Sequence, residues 1–571
     1  MILATREISR LVRESLHAAQ AAGKLPEFEL EGIEARPSKR AEQGDYNVAL
    51  MPFARPARMS PLQIAQIAVE LMPPSDMVAK VEAAAPGYVN MFLSEDWLRA
   101  QVEAIYAEND DLYRLDLGQG KRAQVEFVSA NPTAPLHIGR SRGAIVGDTM
   151  ARLLEAAGYD VEREYYFNNA GAQMRNLGNS LKVRYLEALG QTVELSEEDL
   201  KTFYQGEYLR DFARELALEK GDAWINEDYH LFKAYAEQKM FEMIKATLDR
   251  VDIHHDNFFN ENSLYENGAI WEVLEALDKR GYIYKASKSA VTDDQGDDEN
   301  ADGKGEATWF RSSDFGDSKD RVLVKSSGEP TYTLPDIAYH KNKLDRGFDL
   351  LINVLGADHY TQYQVVRAGI RALDLDASKI NVIIVQLVAI LRGGEVVRMS
   401  SRKGDFETLD DLIDQTSADA VRYMLLARSS DTHLNFDLDL AIKKSNENPV
   451  YYIQYAHVRC AGIFREAAAR GVRVQNPDLR LLGDAELKFL RKVLELGEVI
   501  ELSASTFEPH RIAFYALELA NAFHPVFDNV RVLASDVDPA VAQARLYFFG
   551  AAQIVFRRVL RLMGMTAPEV M

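Results

Sequence analysis

The sequence predicts a multidomain α/β protein built from three parts, and three observations lead to this fold class. The chain has 571 residues, which is enough for three or four domains of about 100–200 residues each. Strand, helix and strand patterns follow one another between Gln124 and Phe167, as in a parallel βαβ unit. After about Leu440 the apolar spacing is helical throughout. We therefore predict a small α+β domain, a parallel-sheet domain and an all-α domain, in that order.

The first predicted domain spans residues 1–115. Apolar side chains recur at helical spacing over residues 1–20, and strand-like segments follow at 46–51 and 88–93. A helix together with short strands is typical of a small α+β domain. The Gln-Gly-Lys sequence at 119–121 is interpreted as the linker that follows it.

The parallel-sheet domain is predicted at 116–440 and the all-α domain at 441–571. In the first βαβ unit, a long helix should run from His137 to Gly158, because glycine suits the position that ends a helix. A helical insertion around residues 185–290 separates this half of the sheet from a second strand–helix–strand half.

The composition limits the cellular compartments and the classes of function that are compatible with the chain. With 66 basic and 87 acidic residues the net charge is -21, so the surface as a whole should repel nucleic acid. Binding depends on where cations cluster, so an RNA partner is not excluded. Cys460 is the single cysteine, which excludes an internal disulfide and a cysteine-rich zinc site and favours a cytoplasmic location. With no signal-peptide core and no apolar run of about 20 residues, we expect no membrane contact.

The acidic segment 293–305 resembles a calcium-binding loop only loosely. Its carboxylates lack the ligand spacing of a calcium loop, and no glutamate stands at the closing position. We interpret it as a solvated hairpin tip and predict no metal ligands in the chain.

The first motif with chemical content is His137-Ile138-Gly139-Arg140, at the junction of strand and helix. A helix N-terminus offers free N–H groups and a positive dipole end to phosphate. Gly139 lets a flat nucleoside pack against the backbone, and His137 can donate a hydrogen bond to a phosphate oxygen. A chance turn is the alternative for so short a motif. Its position at the first strand–helix turn of a sheet favours a ligand site.

A second motif follows the last strand of the second half of the sheet. It consists of Arg398, Met399, Ser400, Ser401, Arg402, Lys403 and Gly404. Three cations, two hydroxyls and a glycine are typical of a phosphate-binding loop, with an ordinary basic surface loop as the alternative. Two phosphate-type motifs at corresponding ends of one split sheet favour the phosphate-binding interpretation.

Together the two motifs resemble the HIGH and KMSKS signatures of class I aminoacyl-tRNA synthetases, and the surrounding sequence is similar to the arginyl-tRNA synthetases. The resemblance is carried by VEFVSANPTAPLHIGRSRGAIVGD at 125–148, YTLPDIAYH at 332–340, LGADHYTQY at 355–363, VRMSSRKGDF at 397–406, GYVNMFL at 87–93 and YYIQYAHVR at 451–459. It implies a Rossmann-like class I catalytic domain with a helical insertion. It also implies an N-terminal tRNA-binding domain and a helical anticodon-binding domain.

The resemblance implies an arginine–tRNA ligase that uses ATP as a substrate, with Mg²⁺ on the triphosphate and no zinc. The arginine carboxylate would attack the α-phosphorus of ATP, and the 3′-terminal adenosine of the tRNA would then accept the arginyl group. Two positions depart from the signatures: Arg140 replaces the second histidine of HIGH, and Ser401 replaces a lysine of KMSKS. Arg140, Arg402 and Lys403 are therefore alternative candidates for holding the pyrophosphate.

Recognition of arginine requires carboxylates, because the guanidinium is a planar, permanently charged fork of donors. Glu126 lies in the first strand of the sheet domain, and Asp336 lies four residues after Tyr332. Tyr332 and Asp336 lie on the same face if their helix begins as early as Tyr332. Pro335 favours a slightly later start of that helix. The resemblance implies an arginine site formed by Glu126, Asn131, Tyr332, Asp336 and Gln362. The alternatives are a salt bridge for Glu126 and a core position for Tyr332.

Two surfaces are candidates for contact with tRNA. Tyr88 and Asn90 are two residues apart on a strand and therefore share a face. The resemblance implies that this face contacts an adenosine in the D-loop. Tyr452, Tyr455 and Arg459 lie on one helix face, and the resemblance implies that they contact the anticodon. A helix-core position is the alternative for one of these tyrosines.

Three other functions compete with this interpretation. A nucleotidyltransferase with an HxGH motif would be much shorter and would leave the helical C-terminal part unexplained. A class I synthetase for another amino acid would not need both Glu126 and Asp336 in its side-chain pocket. A non-catalytic tRNA-binding relative would not need His137, Gly139 and residues 398–404. We expect a monomer that binds ATP, L-arginine and the tRNA for arginine.

Overall fold

The computed structural model describes residues 1–287, 305–357, 360–397 and 408–571, which fold into two compact units. The first unit joins both ends of the chain and contains Met1–Leu115, Lys444–Thr506 and Arg511–Met571. The second unit contains Asp116–Lys443 and Phe507–His510. The N-terminal and C-terminal parts, which the sequence predicts as separate domains, thus belong to one compact unit.

The N-terminal part of the first unit packs helices on a four-stranded antiparallel sheet with the order β1-β2-β4-β3. Its elements are α1 (Ala4–Ala21), β1 (Ala35–Pro37), β2 (Tyr46–Ala49), α2 (Ala54–Ala57), α3 (Pro61–Glu70), β3 (Val78–Ala84), β4 (Tyr88–Leu93) and α4 (Glu95–Glu108). The apolar face of α1, with Ile8 and Leu16 among its residues, is buried. Ser60 caps α3 by accepting the Gln63 N–H, which satisfies a donor at the helix start.

The C-terminal part of the first unit is helical. Its long helices are α17 (Pro449–Ala469), α18 (Asp484–Thr506), α19 (His510–Asn529) and α20 (Pro539–Leu562). Phe489, Phe523 and Phe556 form its aromatic centre, with ring centroids 5.1–6.2 Å apart. The predicted all-α region is thus present, because apolar faces on successive helices meet in one core.

The second unit is built on a five-stranded parallel sheet with the order β12-β11-β5-β6-β7. Its strands and the helices between them are β5 (Arg122–Glu126), α5 (Ile138–Ala156), β6 (Asp160–Phe167), β7 (Asn257–Asn260), β11 (Leu350–Gly356), α13 (Tyr360–Ala372) and β12 (Ile380–Val385). Strands β6 and β7 extend the sheet on one side of β5, and β11 and β12 extend it on the other. The strand order therefore reverses between β5 and β11, which is where open α/β sheets bind ligands.

Helix α5 lies close against the sheet. Gly147 allows this, because a Cβ there would lie 2.4 Å from the Phe127 ring. The helix ends as predicted, with Gly158 in the left-handed region (φ +91°) just beyond it.

The predicted insertion is mostly helical, with one correction. Its helices are α6 (Gly171–Ala188), α7 (Glu197–Thr202), α8 (Glu207–Lys220), α9 (Tyr229–Arg250), α10 (Asn262–Glu266) and α11 (Ala269–Lys279). Helices α6, α8 and α9 share a core that includes Leu181, Phe212 and Phe232. Strand β7 lies within the predicted insertion but belongs to the main sheet. Four residues with no apolar alternation carry no local strand signal, so pairing with β6 decides this element.

The remaining elements form two small sheets and four helices. They are β8 (Ile283–Ser287), β9 (Glu306–Phe310), β10 (Arg321–Val324), α12 (Thr333–Asp345), β13 (Val388–Arg392), β14 (Glu395–Val396), α14 (Leu409–Gln415), α15 (Ala418–Leu426), β15 (Leu434–Asp437) and α16 (Leu438–Ala441). Strands β8 and β9 pair antiparallel on either side of the acidic segment, whose residues 293–304 lie outside the described residues. Within the described ranges, no helix combines the length and apolar character needed to cross a membrane.

Candidate active site

The turn after β5 lies at the point where the strand order reverses. Val128 (φ +68°) and Ser129 (φ +42°) both adopt left-handed backbone conformations. Such a conformation costs a non-glycine residue on the order of 1–3 kcal/mol and is concentrated at functional sites. Hydrogen bonds hold the turn: Ser129 Oγ donates to Glu126 Oε1 (3.0 Å), and Tyr165 Oη donates to the carbonyl of Ala130 (2.9 Å). The strained turn therefore has a fixed shape beside Glu126.

The first motif forms the N-terminus of α5. His137 is the N-cap, and its Nδ1 accepts the Gly139 N–H at 3.0 Å. Burial lowers the pKa of His137, so the ring is neutral at pH 7 and its proton is on Nε2. Gly139 and Arg140 are exposed, and the Arg140 guanidinium donates to the carbonyl of Ser129 (3.2 Å). This arrangement offers helix N–H groups and a cation to a phosphate group.

The second motif cannot be placed in the same way. Its predicted site residues Met399, Ser400, Ser401, Arg402 and Lys403 lie outside the described residues. The chain on its C-terminal side returns to the first motif: Thr408 forms an antiparallel bridge with His137, and the Leu409 N–H donates to the carbonyl of Leu136 (2.8 Å). The structure thus brings the segment that follows the second motif, from Thr408 on, beside the first motif.

Glu126 ends β5 as a buried carboxylate, with 6% of its surface exposed. Its Oε2 accepts from the Lys343 ammonium of α12 at 2.6 Å, and Lys343 is fully buried. The salt bridge considered for Glu126 is therefore present. It does not use up the carboxylate, because an ionised carboxylate has about four acceptor positions.

Asp336 lies in the first turn of α12, half-buried. Burial, reinforced by the nearby charge of Glu261, raises the pKa of Asp336 to about 8, although a hydrogen bond from Gln362 Nε2 opposes the shift. The helix begins at Thr333 in spite of Pro335, which occupies its first turn. Because of that early start, the Asp336 N–H donates to the carbonyl of Tyr332 (3.3 Å).

The other predicted arginine-site residues differ in their surroundings. Tyr332 is 81% exposed, so the core position considered for it is wrong. Asn131 bridges two segments: its Oδ1 accepts the Asn168 N–H (2.9 Å), and its Nδ2 donates to Gln173 Oε1 (3.0 Å). The structure connects Gln362 to Asp336 directly, whereas Asn131 joins the turn after β5 to the start of α6.

Sequence reasoning missed two charged residues of this site. Glu261, just beyond β7, is 7% exposed and accepts from Tyr166 Oη at 2.7 Å. Lys343 lies seven residues after Asp336 on α12, two helical turns along, and that spacing on one face was a usable signal. No local pattern marks Glu261, since its proximity to Asp336 depends on where β7 joins the sheet.

The predicted tRNA-binding residues of the N-terminal part lie on β4. Tyr88 is half-buried and Asn90 is buried with 6% of its surface exposed. They alternate with Val89, which is fully buried. Tyr88 is therefore the member of the pair with surface available for stacking.

The predicted anticodon residues lie on one half-buried face of α17. The Tyr452 ring packs against the His524 ring, with centroids 4.2 Å apart and planes tilted by 41°. The Arg459 guanidinium lies 4.8 Å from the centre of the Tyr455 ring and is 2.8 Å from the Asp528 carboxylate. Tyr455 and Arg459 line an open pocket of about 450 Å³. An aromatic ring beside a cation is suited to a stacked base.

Comparison with known proteins gives this architecture a class. The family of class I tRNA synthetase (R) catalytic domains matches residues 101–435, the part that contains the parallel sheet and both motifs. The arginyl tRNA synthetase N-terminal domain matches residues 6–93, and the DALR anticodon binding domain matches residues 453–571. The fold and site thus define a class I aminoacyl-tRNA synthetase.

The chain belongs to the arginyl-tRNA synthetase family, so the predicted resemblance and fold class are confirmed. It is 41% identical to an arginine–tRNA ligase of Carboxydothermus hydrogenoformans over 577 residues, and 40% identical to one of Moorella thermoacetica over 577 residues. In both cases 99% of each chain is covered. The fold is similar to arginyl-tRNA synthetase of Thermus thermophilus, with a TM-score of 0.74, 20% identity and coverage of 99% of this chain and 100% of that chain.

Proposed function

We propose that this protein is an arginine–tRNA ligase, which activates arginine with ATP and transfers it to the 3′-terminal adenosine of its tRNA. The observation that carries the proposal is the placement of Glu126 and Asp336. Both carboxylates lie at the switch point of a parallel sheet, and the phosphate-type helix N-terminus of α5 begins at the same edge.

The arginine side chain is proposed to bind between Glu126 and Asp336. A guanidinium has five donors in one plane and stays charged at all working pH values, so two carboxylates can engage different edges. Lysine presents one compact ammonium and cannot satisfy both. Tyr332, Asn131 and Gln362 complete the proposed site. Gln362 already orients Asp336 through its amide.

ATP is proposed to bind at the N-terminus of α5. His137 Nε2 carries the proton that can be donated to a phosphate oxygen, and Gly139 leaves room for the nucleoside. Mg²⁺ on the triphosphate would share the stabilisation of negative charge. The reaction needs no side-chain nucleophile, because alignment of the arginine carboxylate and stabilisation of the leaving pyrophosphate supply the catalysis.

The second motif is proposed to complete the phosphate site. Met399, Ser400, Ser401, Arg402 and Lys403 follow the hairpin of β13 and β14, and the chain after them pairs with His137. Arg140, Arg402 and Lys403 remain the proposed cations for the pyrophosphate. Among the residues that the structure does describe, no cluster of three or more His, Cys, Asp or Glu side chains is placed to hold a metal ion.

The tRNA is proposed to contact two surfaces of the first unit. Tyr88 and Asn90 on β4 would contact the D-loop, with Tyr88 supplying the stacking surface. Tyr452, Tyr455 and Arg459 on α17 would contact the anticodon. The pocket lined by Tyr455 and Arg459 supports this proposal, because its walls include an aromatic ring and a cation. We propose residues 1–115, 116–440 and 441–571 as the tRNA-binding, catalytic and anticodon-binding domains of a cytoplasmic monomer.

The test is aminoacylation of total tRNA with each of the twenty amino acids, using the purified chain and ATP. Charging with arginine alone is expected. Charging with a different amino acid would identify a sister synthetase. Binding of tRNA without charging by any amino acid would identify a non-catalytic relative.

A further inference from the structure

We propose that Lys343 is a positioning residue for arginine recognition. Its ammonium fixes one carboxylate oxygen of Glu126, so that the other oxygen is presented to the guanidinium of the substrate. This inference rests on the proposed function and assigns a role to a side chain that contacts a recognition residue, not the substrate itself.

The first argument is the burial of Lys343. The side chain has no exposed surface, and an ammonium is costly to bury unless it is paired and hydrogen-bonded. Lys343 Nζ donates to Glu126 Oε2 at 2.6 Å and to Asn353 Oδ1 at 2.8 Å. The ring of Tyr339 covers a third side, with its centre 4.3 Å from Nζ. A lysine enclosed in this way has a single fixed geometry.

The second argument is that a directed chain of hydrogen bonds orients Asn353. Burial lowers the pKa of His340 to about 3, so its ring is neutral. Its Nδ1 lies 2.8 Å from the carbonyl oxygen of Asp336, which can only accept, so Nδ1 carries the proton. His340 Nε2 then accepts from Asn353 Nδ2 at 2.7 Å, which turns Asn353 Oδ1 towards Lys343. One network thus joins the side chain of Glu126 to the backbone of Asp336.

The third argument is the charge around Glu126. Asp336 and Glu261 are nearby acids: Glu261 raises the pKa of Asp336, and Glu126 contributes in the same direction, whereas Lys343 opposes it. Like charges in one buried site disfavour ionisation of each other. Lys343 is therefore the cation that balances the charge of Glu126 in this site, and without it the carboxylate would lose its fixed partner and orientation.

Other charged groups nearby do not replace Lys343. Glu164 on β6 has its own partners, since Arg346 donates to it at 2.7 Å and Tyr339 Oη at 2.5 Å. Tyr166 donates to Glu261, and burial raises its pKa well above the usual value. Arg346 is therefore committed to Glu164, and the neutral ring of His340 adds no charge.

Lys343 also leaves Glu126 able to bind substrate. Oε2 is taken by the ammonium, and Oε1 accepts only from the Ser129 hydroxyl at 3.0 Å among the contacts described for it. A carboxylate oxygen can accept two hydrogen bonds. Oε1 therefore has capacity for a guanidinium N–H, in an orientation set by the two side chains on either side.

The test is Lys343→Met, which keeps the length of the side chain and removes its charge. The KM for arginine in aminoacylation at pH 7 is expected to rise by at least ~10-fold, while the KM for ATP stays unchanged. The kcat at saturating arginine should fall less than kcat/KM, because Lys343 positions a binding group and does not contact the reacting atoms. Lys341→Met is the matched control, since Lys341 lies on the same helix but pairs with Asp345 at the surface.

The double variant Glu126→Gln/Lys343→Met separates this role from a structural one. It carries no unpaired buried charge, so it should recover thermal stability relative to Lys343→Met, and its arginine KM should match that of Glu126→Gln alone. A double variant with an arginine KM well above that of Glu126→Gln would show that Lys343 acts through another group and would overturn the proposal. An arginine KM unchanged in Lys343→Met, or a loss that affects the KM for ATP equally, would also overturn it.

Two further measurements cover the remaining outcomes. If Lys343→Met does not fold, Asn353→Asp serves, because a second carboxylate on the Lys343 ammonium competes with Glu126. A higher arginine KM with an unchanged KM for ATP supports the proposal, and an unchanged arginine KM refutes it. The parent enzyme and Lys341→Met report separately on the proposed function: if neither charges tRNA with arginine, the function fails rather than the role of Lys343.

Discussion

The second unit contains two buried charge clusters that differ in the balance of acid and base. The cation-rich cluster consists of Asp148 with Arg152, Arg163 and Arg422. The acid-rich cluster consists of Glu126, Glu261 and Asp336 with Lys343. Both clusters join a strand of the parallel sheet to neighbouring helices, and each contains a carboxylate that the fold removes from water.

The two clusters shift their aspartates in opposite directions. Burial alone would raise the pKa of Asp148, but Arg422, Arg152 and Arg163 outweigh it and lower that pKa. Burial raises the pKa of Asp336 to about 8, and Glu261 adds to the shift. Asp148 is paired with several cations and therefore stabilises the fold. Asp336 shares too few cations, so its site is suited to a cationic ligand. The guanidinium of arginine would supply the missing charge.

The largest expected effect is on stability, in the cation-rich cluster. Asp148→Asn removes the carboxylate that pairs with Arg152, Arg163 and the fully buried Arg422, and it should lower the free energy of unfolding by about 3–5 kcal/mol. Denaturant unfolding measures this loss. The control is Asp252→Asn, which removes an exposed partner of Arg152 and should cost less than ~1 kcal/mol. Equal effects of the two substitutions would contradict the distinction between the clusters.

The next effect is on activity, in the acid-rich cluster. Asp336→Asn should lower kcat/KM for arginine on the order of 100-fold, since a hydrogen bond to a charged group is worth about 1.5–3 kcal/mol. Glu126→Gln should behave alike, and the double variant should be less than additive because both act on one guanidinium. ATP binding should be nearly unchanged. Selection of arginine over lysine, ornithine and citrulline should weaken in each variant.

Asp336→Asn should also differ from Asp148→Asn in the sign of its effect on the stability of the fold. The folded pKa of Asp336 lies above the ordinary value, so its ionisation opposes folding as the pH rises towards 8. Removing the ionisable group should therefore leave thermal stability at pH 7 unchanged or higher. A loss of stability as large as that of Asp148→Asn would show that Asp336 is a framework residue.

A smaller effect is expected on the pH dependence of arginine binding. Below about pH 8 the free enzyme holds a proton on Asp336, and the guanidinium binds to the ionised form. The Kd for arginine should therefore fall as the pH rises from 6 to 8, by up to ~10-fold per unit, and then level off. Calorimetry in buffers of different ionisation enthalpy should record proton release at pH 7. Asp336→Asn should abolish both the slope and the proton release.

The smallest effect is expected for Glu261→Gln. Removing this charge lowers the pKa of Asp336, because Glu261 is the largest cause of the shift after burial. The midpoint of the arginine binding profile should move to lower pH, with a change in Kd at pH 7 of less than ~10-fold. A midpoint that does not move would mean that burial alone prepares the site.

The sequence by itself determined the features that depend on neighbours along the chain. Local spacing determines the helix of the first motif, its end at Gly158 and the helical C-terminal part. Short-range hydrogen bonds and apolar faces give these elements their recognisable patterns. Glu126 and Asp336 could be proposed as a pair because both lie within recognisable motifs. The match of whole segments to one family also needed only the order of residues.

The tertiary structure decided which of these residues meet. Lys343 pairs with Glu126 across 217 positions of the chain, and Glu261 comes near Asp336 only because β7 joins the edge of the sheet. The two ends of the chain combine in one unit for a similar reason. Charge pairs and strand pairs between distant segments have no local periodicity, since their stabilisation appears only when the sheet and its helices have packed.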